Sequence, residues 1–202
     1  MSFKVWLKAN AADKALASLR QELIAQFERG ASVLDIGCGT GDLLFRAADR
    51  IAQGFGIDLD QAMVDYATDK SDECGFSHLR FACVNALELT SGNYDVATST
   101  LCLHEMAQTD ALNVLKQMAT LADRILIADY AEPTTRFGKF SIEFDEMISG
   151  HYSRFRHYRR AGRIPAYATA CDLIIRASTP SSIDGIVIWE LQGRATPQET
   201  TA

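Results

Sequence analysis

The chain has 202 residues, of which 48% are apolar and 23% charged, and its formal net charge is −6. These values are typical of a folded globular protein, and the length favours a single domain over residues 1–202. The acidic balance argues against a general nucleic-acid or anionic-membrane coat, which needs a basic surface. No apolar run approaches the ~20 residues of a membrane helix, and the first residues lack a signal-type apolar core. The expected location is therefore the cytoplasm.

The cysteines are scattered along the sequence without a C-x-x-C pair: Cys38, Cys74, Cys83, Cys102 and Cys171. Disulfide frameworks and structural zinc sites need close, paired spacing, so plain reduced thiols are predicted. With only four histidines, a histidine-rich metal site is not expected. Asp129 is a possible metal ligand at the end of a predicted strand, but it lacks evident partners. No metal cofactor is predicted.

The first predicted element is an amphipathic helix within residues 11–29, part of a helical N-terminal cap over residues 1–30. Its apolar residues recur at spacings of three and four, namely Leu16, Leu19, Leu23 and Phe27. That spacing places them on one face of a helix, and Gly30 is predicted to end it.

Strand-like and helical segments then alternate over residues 31–134. The predicted strands cover residues 32–36, 54–58, 79–84, 95–100 and 124–130. The predicted helices between them cover residues 42–51, 60–70 and 109–122. Alternation of helices with continuously apolar strands favours a parallel sheet covered on both faces. The handedness of the crossovers makes a doubly wound sheet the expected arrangement.

The alternation stops after the fifth strand. Residues 135–163 contain no strand pattern and are interpreted as two helical pieces separated at Gly150, which we call the lid segment. Residues 164–194 then hold a last helix and two strands, over residues 173–177 and 185–191. Their connection is too short for a crossover helix, so this pair is predicted to be antiparallel. The predicted fold is α/β, a doubly wound, mostly parallel seven-stranded sheet with an antiparallel terminal strand.

The most informative segment, residues 33–44, runs from a buried strand through three glycines into a helix. Gly37, Gly39 and Gly41 let a ligand approach the backbone, and the helix N-terminus adds amide donors. Their G-x-G-x-G spacing differs from the G-x-G-x-x-G of dinucleotide loops. Asp35 would suit the ammonium group of an amino-acid-like ligand better than a pyrophosphate. Asp58 ends the next strand, where an acidic side chain accepts hydrogen bonds from ribose hydroxyls.

Over about residues 31–130 these segments resemble, in order and spacing, the motifs of class I S-adenosylmethionine-dependent methyltransferases. The resemblance implies a Rossmann-like methyltransferase fold, with S-adenosylmethionine as cofactor and S-adenosylhomocysteine as product. It assigns cofactor contacts to residues at, or just after, the carboxyl ends of the first four strands: Asp35, Gly37, Cys38, Gly39, Gly41, Asp58, Leu59, Met63, Asn85, Ala86, Thr100 and Leu101.

Three of these positions have distinct roles in the family that the chain resembles. Asp58 corresponds to the ribose-binding carboxylate, and Met63 to the residue that often packs on the adenine. Asn85 corresponds to the side chain that holds the adenine amino group, where aspartate is more common. The turn before the fifth strand, residues 121–124, lacks the usual Gly-Gly pair.

The segment after the fourth strand, residues 103–106, resembles that of the small-molecule branch that includes the ubiquinone and menaquinone biosynthesis methyltransferases. His104 is accordingly a candidate general base, with a structural hydrogen-bonding role as the alternative. Residues 99–102 lack the Asn-Pro-Pro-Tyr pattern of DNA-adenine and glutamine methylation. Cys102 also lacks the preceding proline of a cytosine-methylating nucleophile.

The second piece of the lid segment places His151, Phe155 and Tyr158 at i, i+4 and i+7. His151 and Tyr158 are therefore candidate catalytic residues that touch the methyl acceptor. A separate face carries arginines 156, 159, 160 and 163, and residues 136–163 hold seven basic and three acidic side chains. The alternative is an aromatic stripe that packs on the sheet, with a solvated basic face.

The predicted function is transfer of a methyl group to a small, apolar or aromatic acceptor by in-line displacement, which requires mainly alignment and exclusion of water. One alternative is an RNA or protein acceptor docked on the arginines, although the acidic total disfavours nucleic acid. Others are a non-catalytic S-adenosylmethionine-binding protein and a nicotinamide-dependent oxidoreductase. The expected partner is a small-molecule acceptor, and the oligomeric state stays open.

Overall fold

The computed structural model describes residues 3–135 and 152–193. Its first elements form one helical segment, made of α1 (Phe3–Leu7), a π-helical turn (Lys8–Ala12), α2 (Asp13–Ala15) and α3 (Ala17–Ile24). The helix predicted over residues 11–29 therefore begins earlier and ends earlier than expected. Residues 26 and 27 make i→i+3 backbone bonds, which tighten the chain before Gly30, where φ is +80°.

Seven strands form one sheet. They are β1 (Ser32–Ile36), β2 (Gln53–Asp58), β3 (Leu79–Cys83), β4 (Tyr94–Thr100), β5 (Ala122–Tyr130), β6 (Leu173–Pro180) and β7 (Ile186–Gly193). Their order is β3-β2-β1-β4-β5-β7-β6. The first five pair in parallel, and β7 runs antiparallel to both β5 and β6. The predicted sheet and its antiparallel terminal strand are confirmed.

The remaining helices are α4 (Asp42–Ala47), α5 (Gln61–Cys74), α6 (Gln108–Leu121), α7 (Tyr152–Arg160) and α8 (Arg163–Ala170). Helix α4 is shorter than predicted, because residues 50 and 51 close a turn onto Ala47 instead of continuing the helix. Helix α5 is longer than predicted and ends at Gly75, whose φ of +71° suits glycine. Between α6 and β5 the chain turns directly from helix into strand at Ala122.

The core lies where the central strands are covered on both faces. In β5, residues 125–128 are at most 1% exposed. Successive side chains of a strand point to opposite faces, so both faces of this strand are buried. Strand β1 lies between β2 and β4, and the crossovers leave it in opposite directions. Such a switch point opens a crevice beyond the carboxyl ends of the two strands, which is where the glycine-rich loop lies.

Only the second piece of the lid segment can be compared with the structure, where it forms α7. Residues 136–151 lie outside the described part of the chain, and with them Gly150, His151 and the first predicted piece. Within residues 3–135 and 152–193, no helix combines the length and apolar character needed to cross a membrane.

Candidate functional site

The glycine-rich loop leaves β1 in a conformation that glycine adopts readily. Gly37, Gly39 and Gly41 have φ values of +76°, +54° and +74°. A Cβ on Gly37 would lie 2.4 Å from Cys102 Sγ, and one on Gly41 would lie 2.6 Å from the Phe81 ring. Glycine is therefore required here both for the left-handed backbone and for the close packing of the loop.

The end of β2 holds the loop in place. The backbone N–H groups of Gly37 and Cys38 both donate to the Ile57 carbonyl, at 2.9 and 3.0 Å. The Asp58 carboxylate accepts from the Gly39 N–H at 2.8 Å and from the Asp60 N–H at 2.9 Å. Each carboxylate oxygen has capacity for a further donor. Asp58 is thus fixed at the rim of the crevice and can still accept a ligand hydroxyl.

Asp35 lies beneath the loop and is 2% exposed. Thr98 Oγ1 donates to Asp35 Oδ1 at 2.9 Å. Burial raises the pKa of the Asp35 carboxyl to about 6, and the negative charge of Asp58 adds to the rise, against lowering by the Thr98 bond and the charges of Arg20 and Lys8. Because few donors and cations offset the buried negative charge of Asp35, this carboxylate is a good acceptor for a cationic ligand group.

The end of β4 adds hydroxyl groups to the same crevice. Ser99 Oγ and Thr100 Oγ1 are buried and have no hydrogen-bond partner within the described part of the chain. Leu101 follows with a φ of +49°, a strained conformation for a non-glycine residue. Its N–H donates to the Ala128 carbonyl of β5 at 2.8 Å. Buried hydroxyls normally find partners, and backbone strain concentrates at functional sites, so both features favour a polar ligand here.

The residues predicted to hold the adenine follow β2 and β3. Met63 is buried in the first turn of α5, whereas Leu59 is 72% exposed. Asn85 Oδ1 accepts from the Leu87 N–H at 3.0 Å and caps a short 3₁₀ helix that contains the buried Ala86. The oxygen assigned to the adenine amine thus already has a local donor, and its second lone pair can accept another.

The thiols near the loop lack the features of a nucleophile. Burial raises the pKa of both Cys38 and Cys102 far above that of a free thiol, and nearby carboxylates add to the effect. A thiolate is the reactive form of cysteine, so these two side chains act as apolar packing groups. All five cysteines are free. Among residues 3–135 and 152–193, no three His, Cys, Asp or Glu side chains converge on a possible metal position.

Sequence reasoning missed the buried polar network that joins the N-terminal helical segment to the loop. Arg20 donates to Asp13 and to Asp42, each at 2.9 Å, and Thr40 Oγ1 donates to Asp13 Oδ2 at 2.6 Å. These four residues are at most 9% exposed. Asp13 and Arg20 precede the loop by many residues, so no local pattern reveals this pairing.

Lys8 is a second residue that the sequence did not reveal. It lies in the π-helical turn, and a Cβ on Gly39 would be only 2.6 Å from its Nζ. The ammonium therefore lies directly over the middle glycine of the loop. Single π-helical turns within helices are rare, and they frequently lie at functional sites. An ammonium at this point can bind an anionic group of a ligand that lies along the loop.

His104 is held by a carboxylate and surrounded by aromatic rings. Its Nδ1 donates to Asp129 Oδ1 at 2.6 Å, and both side chains are almost fully buried. The ring centroids of Tyr130, Tyr158 and Phe155 lie 4.6, 6.1 and 6.2 Å from that of His104. A carboxylate on Nδ1 fixes the orientation and the tautomer of the imidazole, as the orienting acid does in a catalytic triad.

Tyr158 anchors α7 to the sheet. Its hydroxyl donates to the Tyr130 carbonyl at 2.9 Å, and the side chain is 1% exposed. Burial, with a contribution from the Asp129 charge, raises the Tyr158 pKa well above its usual value. The phenol therefore stays protonated at neutral pH. Contact of Tyr158 with an acceptor stays a prediction, as does that of His151, which lies outside the described residues.

The buried network predicts a large stability effect at Arg20. Replacing it in Arg20→Met leaves the Asp13 and Asp42 carboxylates without their shared cation, which we expect to lower the free energy of unfolding by about 3 kcal/mol. The exposed Lys14→Met on the same helical segment should change it by less than about 0.5 kcal/mol. Urea denaturation measures both, and equal effects would contradict the assigned role of Arg20.

Comparison with known proteins gives three consistent findings. A family model described as a methyltransferase domain matches residues 33–123. The aklanonic acid methyltransferase of a Streptomyces species (strain C5) is 29% identical over 134 residues, which cover 59% of this chain and 57% of that protein. The demethylmenaquinone methyltransferase of Bacillus subtilis (strain 168) is 32% identical over 100 residues, covering 47% and 42% respectively. The chain spans about half the length of the curated relatives it matches.

Among solved structures, magnesium protoporphyrin IX methyltransferase from Synechocystis PCC 6803 with bound S-adenosylhomocysteine is similar over 96% of this chain and 88% of that one. The TM-score is 0.63 at 21% sequence identity, which shows a common fold. The matched family region includes the glycine-rich loop, Asp58 and Asn85, and it sets aside the nicotinamide alternative. The comparisons therefore support a methyltransferase domain over residues 33–123.

Proposed function

We propose that the protein transfers a methyl group from S-adenosylmethionine to a small-molecule acceptor. S-adenosylmethionine is the cofactor of the class I methyltransferases, which the chain resembles. The observation that carries the proposal is the buried Asp35 carboxylate beneath the glycine-rich loop, 2% exposed and with a pKa raised to about 6. A cofactor with an ammonium group and a sulfonium supplies the positive charge that this carboxylate lacks in the crevice.

The other residues of the crevice fit the parts of that cofactor. Asp58 would accept hydrogen bonds from the ribose hydroxyls, and Lys8 would bind the methionine carboxylate. Met63 is buried in the first turn of α5, just after Asp58, where it would pack beside the adenine. Gly37, Cys38, Gly39 and Gly41 would contribute backbone contacts. Ser99 and Thr100 would find partners in the ligand or in water bound with it.

When bound, the cofactor supplies an activated methyl group, so the protein has mainly to align the acceptor and exclude water. An acceptor hydroxyl must also lose its proton. We propose His104 as the general base, with Asp129 as the positioning residue that stabilises the imidazolium as it forms. The proton then lies on the imidazole, balanced by the adjacent carboxylate. Because Phe155 and Tyr158 of α7 cover His104, we propose that α7 moves aside to admit the acceptor.

An apolar acceptor suits this surrounding. Tyr130 and Phe155 lie against His104, and Leu103 is fully buried beside it. The names of two relatives refer to aklanonic acid and demethylmenaquinone as acceptors. These support a small organic acceptor for this chain, bound between α7 and the carboxyl ends of β4 and β5.

The raised pKa of Asp35 predicts a pH dependence of cofactor binding. Only the ionised carboxylate attracts the cofactor's cationic groups, so S-adenosylmethionine affinity should fall about tenfold between pH 7 and pH 5, as Asp35 takes up a proton near pH 6. Calorimetric titration at a series of pH values measures this. In Asp35→Asn, affinity should be weaker at pH 7 and almost independent of pH.

Asp35→Asn should weaken cofactor binding but stabilise the folded protein. Ionised Asp35 is disfavoured in the folded state at pH 7, so Asp35→Asn should raise the free energy of unfolding by about 2 kcal/mol. Asp69→Asn on the exposed face of α5 is the matched control. It should change neither the free energy of unfolding nor the affinity for S-adenosylmethionine. Undiminished cofactor binding by Asp35→Asn would contradict the proposed role of the carboxylate.

The proposed base is tested by kinetics with an accepted acceptor. His104→Gln should lower kcat by about 100-fold or more, while the Kd of S-adenosylmethionine stays unchanged. Asp129→Asn should also lower kcat and shift the acidic limb of its pH profile. Tyr158→Phe, which removes only the anchor to the Tyr130 carbonyl, should change kcat little. A kcat of His104→Gln equal to that of the native protein would restrict His104 to a structural role.

A further inference from the structure

A cavity of about 400 Å³ lies beside α7. It is lined by side chains of α7, of the start of α8 and of the chain just after β5: Glu132, Tyr152, Arg156, Arg159, Arg160 and Arg163. A concave site of this size accommodates a charged group of a small molecule.

The cavity has a strong excess of positive charge. Residues 152–163 contain five arginines and no carboxylate, in a chain whose net charge is −6. Glu132, the one acidic residue among the described lining residues, pairs with Arg163. Arg156 and Arg160 have no carboxylate partner in the described part of the chain. The guanidinium of Arg156 lies 5.8 Å from the centre of the Tyr152 ring, which holds it at the edge of the cavity.

Arg163 is placed in this cavity at a cost to the fold. Its φ is +59°, directly after Gly162 at +93°, so two consecutive residues are left-handed. Its Nε is buried and has no hydrogen-bond partner among residues 3–135 and 152–193. Both a strained non-glycine backbone and an unsatisfied buried donor are unfavourable, and such features persist where a ligand or a function compensates for them.

The cavity adjoins the candidate active site through α7 itself. One face of α7 packs Phe155 and Tyr158 against His104. The Arg159 guanidinium lies over the Phe155 ring at 5.6 Å from its centre. The Phe155 ring therefore contacts both Arg159, which lines the cavity, and the proposed base. A molecule held near His104 can extend an anionic group into the cavity.

We propose that this cavity binds an oxyanion, a carboxylate or a phosphate, carried by the methyl acceptor. The inference rests on the proposed function and specifies the acceptor as an amphiphilic anion, with an apolar part at His104. Guanidinium groups bind both kinds of oxyanion through paired hydrogen bonds and charge. The concave shape and the acidic total charge favour a small molecule over a nucleic-acid backbone, which needs an extended basic track.

The test is calorimetric titration with two probes, inorganic pyrophosphate and phthalate, at low salt. One of them should bind saturably at a ratio of one per chain, and added salt should weaken it. The double variant Arg156→Gln, Arg160→Gln should weaken that binding at least tenfold, because both side chains are exposed and their replacement leaves the core intact. Arg176→Gln, an exposed arginine on β6, should leave it unchanged. The preferred probe distinguishes a phosphate from a carboxylate.

S-adenosylmethionine binding is measured in the same samples to separate the two claims. If neither probe saturates up to ~10 mM while the cofactor binds, the oxyanion cavity is wrong and the proposed function stands. If the cofactor does not bind, the proposed function fails and this inference fails with it. Binding of a single-stranded RNA in preference to both probes, lost in the double variant, would reassign the arginines to nucleic acid and overturn the inference.

Discussion

The hydrogen bonds between the end of β2 and the glycine-rich loop position the segment that carries Gly37, Cys38, Gly39 and Gly41. The Ile57 carbonyl takes two N–H groups of the loop, and the Asp58 carboxylate takes a third. The loop is thereby held open toward the crevice at the sheet's switch point, with Asp35 beneath it and Asp58 at its rim. The same carboxylate that fixes the loop is the one proposed to bind the ribose, so the support and the ligand site share a residue.

Buried charged side chains make the main unfavourable contribution to the stability of the fold. Asp35 is buried with one neutral donor, and Arg20 joins two buried carboxylates beside the same loop. Replacing such groups by apolar residues can stabilise a protein, so their presence indicates another use. The proposed cationic ligand would account for Asp35. The Arg20 network is explained by the need to hold the N-terminal helical segment, and Lys8 with it, over the glycines.

Much of the fold follows from sequence because it depends on local patterns. Strand and helix periodicity, the glycine spacing and the short connection between the last two strands predict the sheet, its order of elements and its antiparallel strand. Boundaries are less well predicted where tertiary contacts override local signals. The N-terminal helical segment begins early because Asp13 and Lys8 contact the loop. Strand β5 begins at Ala122, directly after α6, whereas its predicted start was residue 124.

Contacts between residues that are far apart in the sequence could not be predicted, for a different reason. His104 was identified as a candidate base and Asp129 only as a possible metal ligand, since 25 residues separate them. The neighbouring parallel strands β4 and β5 bring their carboxyl ends together, and that topology is the signal that could have paired them. No such argument reaches Arg163, because its left-handed backbone and unsatisfied Nε become visible only in three dimensions.

The central claim is that the crevice formed by Asp35, the glycine-rich loop and Asp58 is an S-adenosylmethionine site. A crystal structure of the protein grown with S-adenosylhomocysteine tests it most directly. The account predicts the ligand in this crevice, with its ribose hydroxyls on Asp58, its adenine beside Met63 and its carboxylate near Lys8. Ligand density elsewhere on the protein would contradict the account. So would a crevice without ligand at saturating concentration, with Lys8 Nζ still lying over Gly39.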